Sequence, residues 1–294
     1  MFTGVYTALI TPFDANGNID YPSLGALLET QIKAGVDGLV LLGTTAEAAT
    51  MTAKEKQDLL DFAVSKINGR VKIIIGTGTN NTVTTLENTR MALTYKPDGV
   101  LVVTPYYNKP NAAGLIAHYQ AVAQLGAPIV LYHIPGRTGL KVPAATMDKL
   151  LEQVPQIRGV KESDYDMAGV TDFAVKHTGK IDYLCGNDDL FLSFLSIGAS
   201  GIISAAANVF APAFVAVYKA FQKGDTQKAW ELYKPLYPLI KACYFETNPT
   251  CVKYILSRLN VCGETERLPL GPVAKETKSK VDALLEKADA NLFI

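Results

Sequence analysis

Lys161 is the residue of this sequence whose type and place point most directly to covalent chemistry. It closes the apolar segment Arg158–Lys161, so we expect its stem to be buried and its amine to point into an interior. Desolvation favours the neutral form of an amine, and a neutral amine can attack a ketone to form a Schiff base. Two plainer interpretations stay open on spacing alone: Lys161 could reach solvent, or it could pair with a carboxylate such as Glu162.

Hydroxyl groups stand at the ends of two other apolar segments. Tyr132 ends the preceding segment, where it could exchange protons with imine intermediates or simply cap the interior with its ring. Thr44 and Thr45 offer hydroxyls and backbone N–H groups just ahead of a helix, which suits a small carboxylate. Helix capping by threonine is the alternative interpretation.

Two loops carry further side chains that could handle a substrate. Tyr106 and Tyr107 are adjacent aromatic residues, of which one could face a site while the other packs at a subunit interface. Arg137 follows Pro135-Gly136 in a tight turn, where a guanidinium can hold a carboxylate through two hydrogen bonds. A plain surface arginine is the alternative.

Each of these residues lies at the end of a short and mostly apolar run, or shortly after it. Runs that are apolar without alternation are typical of parallel strands buried on both faces. Stretches with helical spacing lie between most of them, as a strand-and-helix unit of roughly 30 residues requires. The predicted strands are Val5–Ile10, Gly38–Leu42, Lys72–Gly76, Gly99–Val103, Ile129–Tyr132, Arg158–Lys161, Tyr183–Gly186 and Gly201–Ser204.

Eight such units predict an α/β fold, the (β/α)8 or TIM barrel, whose catalytic groups lie at the carboxyl ends of the strands. A doubly wound open sheet is the alternative, but the first strand runs into Thr11-Pro12-Phe13 and not into a glycine-rich phosphate loop. After Lys223 the strand patterns stop and helical patterns follow. We therefore predict a barrel over residues 1–224 that carries the active site, and a helical region over residues 225–294 packed on it.

Composition argues against several classes of protein. Lys plus Arg and Asp plus Glu both number 28, so the chain lacks the basic excess typical of nucleic-acid binding. Four cysteines without CxxC spacing and three scattered histidines argue against a disulfide framework and a metal site, and favour a cytoplasmic location. No apolar stretch is long enough to span a bilayer, and we expect no signal peptide.

Four segments together resemble the dihydrodipicolinate synthase family, which belongs to the pyruvate-dependent class I aldolases similar to N-acetylneuraminate lyase. They are Gly43–Thr50, Val103–Pro110, Tyr132–Thr138 and Gly159–Glu162. The similarity extends over nearly the whole chain, from Phe2-Thr3-Gly4 to Arg267-Leu268-Pro269-Leu270. Four motifs in order at predicted strand ends make the resemblance highly specific for the superfamily.

The resemblance implies chemistry for four residues. Lys161 resembles the Schiff-base lysine that condenses with pyruvate. Tyr132, Thr44 and Tyr107 resemble a proton relay, with Tyr107 contributed by a neighbouring subunit. The resulting enamine would attack L-aspartate-4-semialdehyde, and cyclisation would give 4-hydroxy-tetrahydrodipicolinate on the route to lysine and diaminopimelate.

The resemblance also implies how substrates are held and how chains assemble. Thr44 and Thr45 would bind the pyruvate carboxylate, Gly186 and Ile203 would contribute backbone to the pocket, and Arg137 would bind the carboxylate of the aldehyde. Relatives are usually homotetramers built as a dimer of dimers, and they need no cofactor and no metal. The implied partners are therefore small-molecule substrates and further copies of the chain.

Particular residues separate the subfamilies. Synthases resembling this chain carry Arg137 and the pair Tyr106-Tyr107, whereas sialic acid lyases generally lack the arginine. This chain has Ala46 where the family usually has Gly, and His133 where it usually has Asn. Alternatives are therefore another pyruvate-dependent aldolase, acting on sialic acid or a keto-deoxy sugar, and a non-catalytic paralogue that binds a keto acid.

Feedback regulation can also be predicted from two positions. Relatives inhibited by lysine place a carboxylate where this chain has Thr84, and often His where it has Lys56. A lysine ligand needs a negative partner for its ammonium group, and Lys56 would repel it. We predict weak or absent inhibition by lysine.

Overall fold

The structure, a computed structural model, describes residues 2–294, in which eight strands form a closed barrel in chain order. The strands are β1 (Gly4–Ala8), β2 (Gly38–Leu41), β3 (Lys72–Gly76), β4 (Gly99–Val103), β5 (Ile129–His133), β6 (Ile157–Glu162), β7 (Asp182–Cys185) and β8 (Gly201–Ser204). The predicted (β/α)8 barrel is confirmed, and the doubly wound open sheet is wrong.

Helices follow the strands, as the repeat requires. They are α1 (Tyr21–Ala34), α2 (Ala53–Ile67), α3 (Thr82–Leu93), α4 (Ala112–Ala123), α5 (Pro135–Thr138), α6 (Ala144–Gln153), α7 (Met167–His177), α8 (Phe191–Ser196), α9 (Ala207–Gln222), α10 (Thr226–Ala242), α11 (Thr250–Arg258) and α12 (Lys275–Leu285). No helix among the described residues is long and apolar enough to cross a membrane.

The chain divides into two compact units, the first of which contains Ile73–Ile203 together with Phe2 and Thr3. Its strands pair in series and in parallel, from β3 with β4 to β7 with β8. The backbones approach closely at Gly78, where a Cβ atom would lie 2.4 Å from the backbone nitrogen of Val103. This unit carries the ends of β4 to β7, which bear most of the predicted site residues.

The second unit contains Gly4–Lys72 and Ser204–Ile294. In it β1 pairs in parallel with β2, and the buried Asn208 of α9 holds the end of β1. The Asn208 side chain donates to the Ala8 carbonyl at 2.7 Å and accepts from the Ile10 N–H at 3.0 Å. The last strand of the described chain ends at residue 204, and the boundary at residue 224 stays a prediction.

Candidate active site

Lys161 and Tyr132 lie opposite each other on neighbouring strands of the first unit. The parallel register of β5 and β6 pairs Tyr132 with Lys161, so both side chains point to the same face. Lys161 is 6% exposed and Tyr132 is 5% exposed, and the Lys161 Nζ atom lies 4.2 Å from the centre of the Tyr132 ring. Lys161 therefore does not reach solvent, and a phenol lies beside an amine that is withdrawn from water.

Side-chain and backbone atoms of residues 161–163 leave no room for a side chain at Gly186. Its N–H donates to the Glu162 carbonyl at 2.7 Å, and a Cβ atom there would lie 3.1 Å from Lys161 Cε. The same Cβ atom would be 2.1 Å from the Ser163 Oγ atom. Ile203 is buried on β8. Glycine at position 186 thus keeps space open next to the lysine.

Ser163 lies beside the lysine and was not predicted from the sequence. Its Oγ atom is buried and has no hydrogen-bond partner within the described chain. The signal that could have found it is strand alternation, because residues two apart on a strand point to the same face and Ser163 follows Lys161 by two.

Arg137 lies on a short helix and not in the predicted tight turn. The helix α5 spans Pro135–Thr138 and ends at Gly139, whose φ of 66° is the left-handed conformation that glycine adopts without strain. The Thr138 hydroxyl donates to the Ile134 carbonyl at 2.9 Å and ties the helix to the end of β5. Arg137 is exposed.

Tyr107 projects from its own chain. Its side chain is 88% exposed, and its φ of 70° places the backbone in the left-handed region that non-glycine residues rarely adopt. Its N–H donates to the Thr138 carbonyl at 3.4 Å, whereas the adjacent Tyr106 is 36% exposed. The loop therefore presents the Tyr107 ring outward.

Thr44 and Thr45 belong to the second unit, where they begin a single 3-10 turn, Thr44–Ala46. Thr44 is exposed and Thr45 is buried. The Asn248 amide donates to the Thr45 Oγ1 atom at 2.9 Å, which leaves the threonine proton available for another acceptor. The alternative that these threonines cap α2 is wrong, because Thr52 caps that helix together with Glu55.

A buried ion pair, which was not predicted from the sequence, holds the same turn. Glu47 accepts hydrogen bonds from the Lys253 ammonium and, at 2.9 Å, from the Arg267 N–H. Lys253 also donates to the Thr265 carbonyl at 2.9 Å and lies 4.2 Å from the centre of the Phe13 ring. Burial lowers the pKa of the Lys253 amine. The turn that carries the two threonines is thus anchored through Glu47.

The described residues contain no group of three or more His, Cys, Asp or Glu side chains that could hold a metal ion. The groups that the two units do offer are an amine, phenols, threonine hydroxyls and a guanidinium. Such groups suit imine formation, proton transfer and carboxylate binding.

The barrel and the strand-end groups define a class of protein, the (β/α)8 enzymes with a buried lysine on a barrel strand. The chain belongs to the Dihydrodipicolinate synthetase family, whose model matches residues 1–288. A 4-hydroxy-tetrahydrodipicolinate synthase of Endomicrobium trichonymphae is 40% identical over 288 residues, which cover 97% of this chain and 98% of that protein.

Solved structures agree with the family match. The 4-hydroxy-tetrahydrodipicolinate synthase of Methylacidiphilum fumariolicum superposes with a TM-score of 0.96 at 36% identity, covering 99% of this chain and 97% of the other. A chloride-inhibited dihydrodipicolinate synthase of Acinetobacter baumannii, solved as a complex with pyruvate, superposes with a TM-score of 0.94 at 33% identity, covering 97% and 98%. The predicted family and class of synthase are confirmed, and the roles of individual residues stay predictions.

Proposed function

We propose that this chain condenses pyruvate with L-aspartate-4-semialdehyde and forms 4-hydroxy-tetrahydrodipicolinate, a step in lysine and diaminopimelate biosynthesis. The family match and the names of the similar proteins support this assignment. The observation that carries it is the Lys161 amine, buried and 4.2 Å from the Tyr132 ring. A nucleophilic amine withdrawn from water is what imine formation with a keto acid requires.

The reaction proceeds through covalent steps on Lys161. The neutral amine attacks the keto carbon of pyruvate, and loss of water leaves an imine. Loss of a methyl proton converts the imine to an enamine, whose terminal carbon forms a bond to the aldehyde carbon of the semialdehyde. The amino group of the semialdehyde then attacks the imine carbon, which closes the ring and releases Lys161.

The remaining residues move protons and bind carboxylates. Tyr132, Thr44 and Tyr107 form the proton relay. The contact between the Tyr132 ring and Lys161 supports the place of Tyr132 in this relay, next to the imine. Thr44 and Thr45 bind the pyruvate carboxylate. The exposed guanidinium of Arg137 binds the carboxylate of the aldehyde.

The shape of the pocket depends on Gly186 and Ile203. Gly186 keeps space open beside Lys161, since a side chain there would meet the Lys161 stem. Ile203 contributes backbone at the end of β8. The reaction needs no cofactor and no metal ion, because the covalent imine on Lys161 itself activates the pyruvate methyl group.

Assembly and location complete the proposal. The outward ring of Tyr107 supports a role in a neighbouring subunit, within a homotetramer built as a dimer of dimers. Sparse cysteines without paired spacing support the reducing cytoplasm as the compartment. Lysine inhibition is weak or absent, because Lys56 and Thr84 offer no negative partner for a lysine ammonium. A weak ligand has a dissociation constant of ~1 mM, so half-inhibition at a lower lysine concentration would contradict this prediction.

The experiment is a comparison of acceptors with purified protein. We expect turnover of pyruvate with aspartate semialdehyde, and much slower turnover with sugar aldehydes such as N-acetylmannosamine. Borohydride with pyruvate alone should add mass to the peptide that contains Lys161 and to no other. Preference for a sugar aldehyde would favour another aldolase of the superfamily, and labelling without turnover of any aldehyde would favour a non-catalytic paralogue.

A further inference from the structure

Directly beyond Lys161 and Tyr132, a second pair of side chains lies on the opposite face of the same two strands. The β5–β6 register pairs His133 with Glu162, one residue after the pair of Tyr132 and Lys161. Because successive residues of a strand point to opposite faces, His133 and Glu162 project away from Lys161. Both are buried, at 3% and 5% exposed.

His133 uses both ring nitrogens. Nδ1 lies 2.8 Å and 2.9 Å from the two carboxyl oxygens of Glu162, and Nε2 lies 3.1 Å from the backbone nitrogen of Val142. Glu162 also accepts the Asp164 N–H at 2.7 Å. The imidazole therefore bridges the end of β6 and the segment that follows α5.

The Val142 contact determines the tautomer of the ring. A backbone N–H can only donate, so Nε2 must accept and must carry no proton. The single proton of the neutral ring then lies on Nδ1, from where it is donated to Glu162. A protonated Nε2 would face the Val142 N–H donor to donor, so the bond to Val142 requires Nε2 as the acceptor.

The segment that reaches Val142 starts at the helix of Arg137. The Thr138 hydroxyl lies 3.3 Å from the Leu140 carbonyl and 3.2 Å from the Leu140 nitrogen, which ties the end of α5 to the residues ahead of Val142. The bond from Val142 to His133 then fixes the far end of this segment to β5. The helix that carries Arg137 and the residues that follow it are thereby held at both ends.

We propose that His133 is a positioning residue that links the imine-forming lysine to the acceptor-binding arginine. Through Nε2 it holds the segment behind Arg137, and through Nδ1 it holds Glu162, the residue that follows Lys161 on β6. The proposal rests on the proposed function, in which Arg137 binds the carboxylate of the aldehyde. Loss of the Val142 bond loosens Arg137 and weakens binding of the aldehyde without changing imine formation.

Two variants separate the two bonds of the ring. In His133→Asn the amide occupies the place of Nδ1, keeps the bond to Glu162 and is too short to reach Val142. In His133→Gln the amide reaches the place of Nε2, can accept from Val142 and loses Glu162. Steady-state kinetics, borohydride labelling with pyruvate alone, and amide hydrogen exchange at Val142 are measured on both variants and on the unaltered enzyme.

For His133→Asn we expect KM for the aldehyde to rise roughly five- to tenfold, the effect of one lost buried hydrogen bond. KM for pyruvate and the rate of labelling stay within about twofold, and Val142 exchanges faster. For His133→Gln we expect protected Val142, a near-normal KM for the aldehyde and slower labelling, because Glu162, which follows Lys161 on β6, has lost the donor that fixes the end of that strand.

Equal changes in both KM values for His133→Asn, or the same kinetic pattern in both variants, would overturn the proposal. Unchanged exchange at Val142 in His133→Asn would do so even without turnover data. Failure of the proposed function is seen separately, as absent labelling or absent product with the unaltered enzyme.

Discussion

At the scale of single residues, the surroundings of an amine decide what it can do. Lys141 forms ion pairs with Asp164 and Asp166 at the surface, at 3.0 Å and 2.8 Å, which keep its ammonium charged. Lys161 is buried against a phenol ring and has no such carboxylate, since the neighbouring Glu162 is bonded to His133. Lys141 is held by two carboxylates, whereas Lys161 faces a phenol ring and forms no ion pair within the described chain, so Lys161 is the amine that suits the proposed imine.

Lys161→Arg tests this assignment, because arginine keeps a positive charge and cannot form the imine. We expect a loss of kcat of roughly 10³-fold or more, the scale seen when a covalent nucleophile is removed. Borohydride labelling by pyruvate should disappear and be detected by mass spectrometry. Lys141→Arg is the matched control and should keep both labelling and turnover. Residual labelling in Lys161→Arg would assign the imine to another amine.

Glu266 shows how burial of one carboxyl couples stability to pH. Burial raises its pKa from 4.5 to about 7, and its Oε1 atom has no hydrogen-bond partner in the described chain. Since the folded state binds the proton more tightly than the unfolded state, stability is greatest below pH 4.5 for this group and is lost as pH rises through about 7.

Glu266→Gln removes this titration. We expect the variant to unfold at a higher temperature than the unaltered protein at pH 8, and at a similar temperature at pH 5. Thermal unfolding at both values measures the difference, with the exposed Glu276→Gln as the control that changes neither. A variant that is equally destabilised at both pH values would show that Glu266 acts through packing and not through its charge.

At the scale of elements, the 3-10 turn of Thr44–Ala46 depends on contacts made far along the chain. Glu47, which follows the turn, has a φ of 56° and is held by Lys253 of α11 and by Arg267. Removing one partner of a buried ion pair leaves a charge without compensation in a low-dielectric interior. The turn and α11 should therefore lose stability together.

Lys253→Met is expected to destabilise the protein by about 3–5 kcal/mol, the cost of breaking a buried pair. Adding Glu47→Gln should recover part of that loss, because it removes the uncompensated carboxylate. Denaturant unfolding at a fixed protein concentration measures both variants and gives the coupling between them. If the two changes simply add, Glu47 and Lys253 do not act as a pair.

The hydrophobic pattern of each strand and helix determines whether it could be predicted from the sequence. The strands were evident because buried parallel strands are apolar on both faces, and all eight were placed within two residues of their ends. Helix α7 was not predicted, and the helices α5 and α8 were missed because four and six residues are too few to show a helical period. Helix α9 was missed because most of its residues are buried, so it has no polar face to alternate with.

The candidate site divides in the same way. The places of Lys161 and Tyr132 at strand ends, and of Arg137 shortly after a strand, could be predicted from the strand patterns, while their roles stay predictions. The pairs Glu47–Lys253 and His133–Glu162 could not, because they join residues 206 and 29 positions apart. Such contacts depend on the register of the folded chain, which local sequence spacing does not contain.

At the scale of the whole molecule, the outward Tyr107 ring makes a prediction about assembly. If Tyr107 completes the site of a neighbouring subunit, a chain with Tyr107→Phe still provides Lys161, and a chain with Lys161→Arg still provides Tyr107. Each variant alone should be impaired, with Tyr107→Phe lowered by roughly 10²-fold as for loss of a proton-transfer group.

Chains mixed from the two variants should therefore regain activity. Random pairing places half of the dimers in the mixed form, and one of their two sites then has both residues, so we expect about a quarter of the unaltered activity in the whole mixture and about half in isolated mixed dimers. Co-expression with two different tags isolates the mixed dimers, and mixing of the separately purified variants without subunit exchange is the control. If Tyr107 acts within its own chain, no site of the mixed dimer contains both residues, and activity stays at the sum of the two variants.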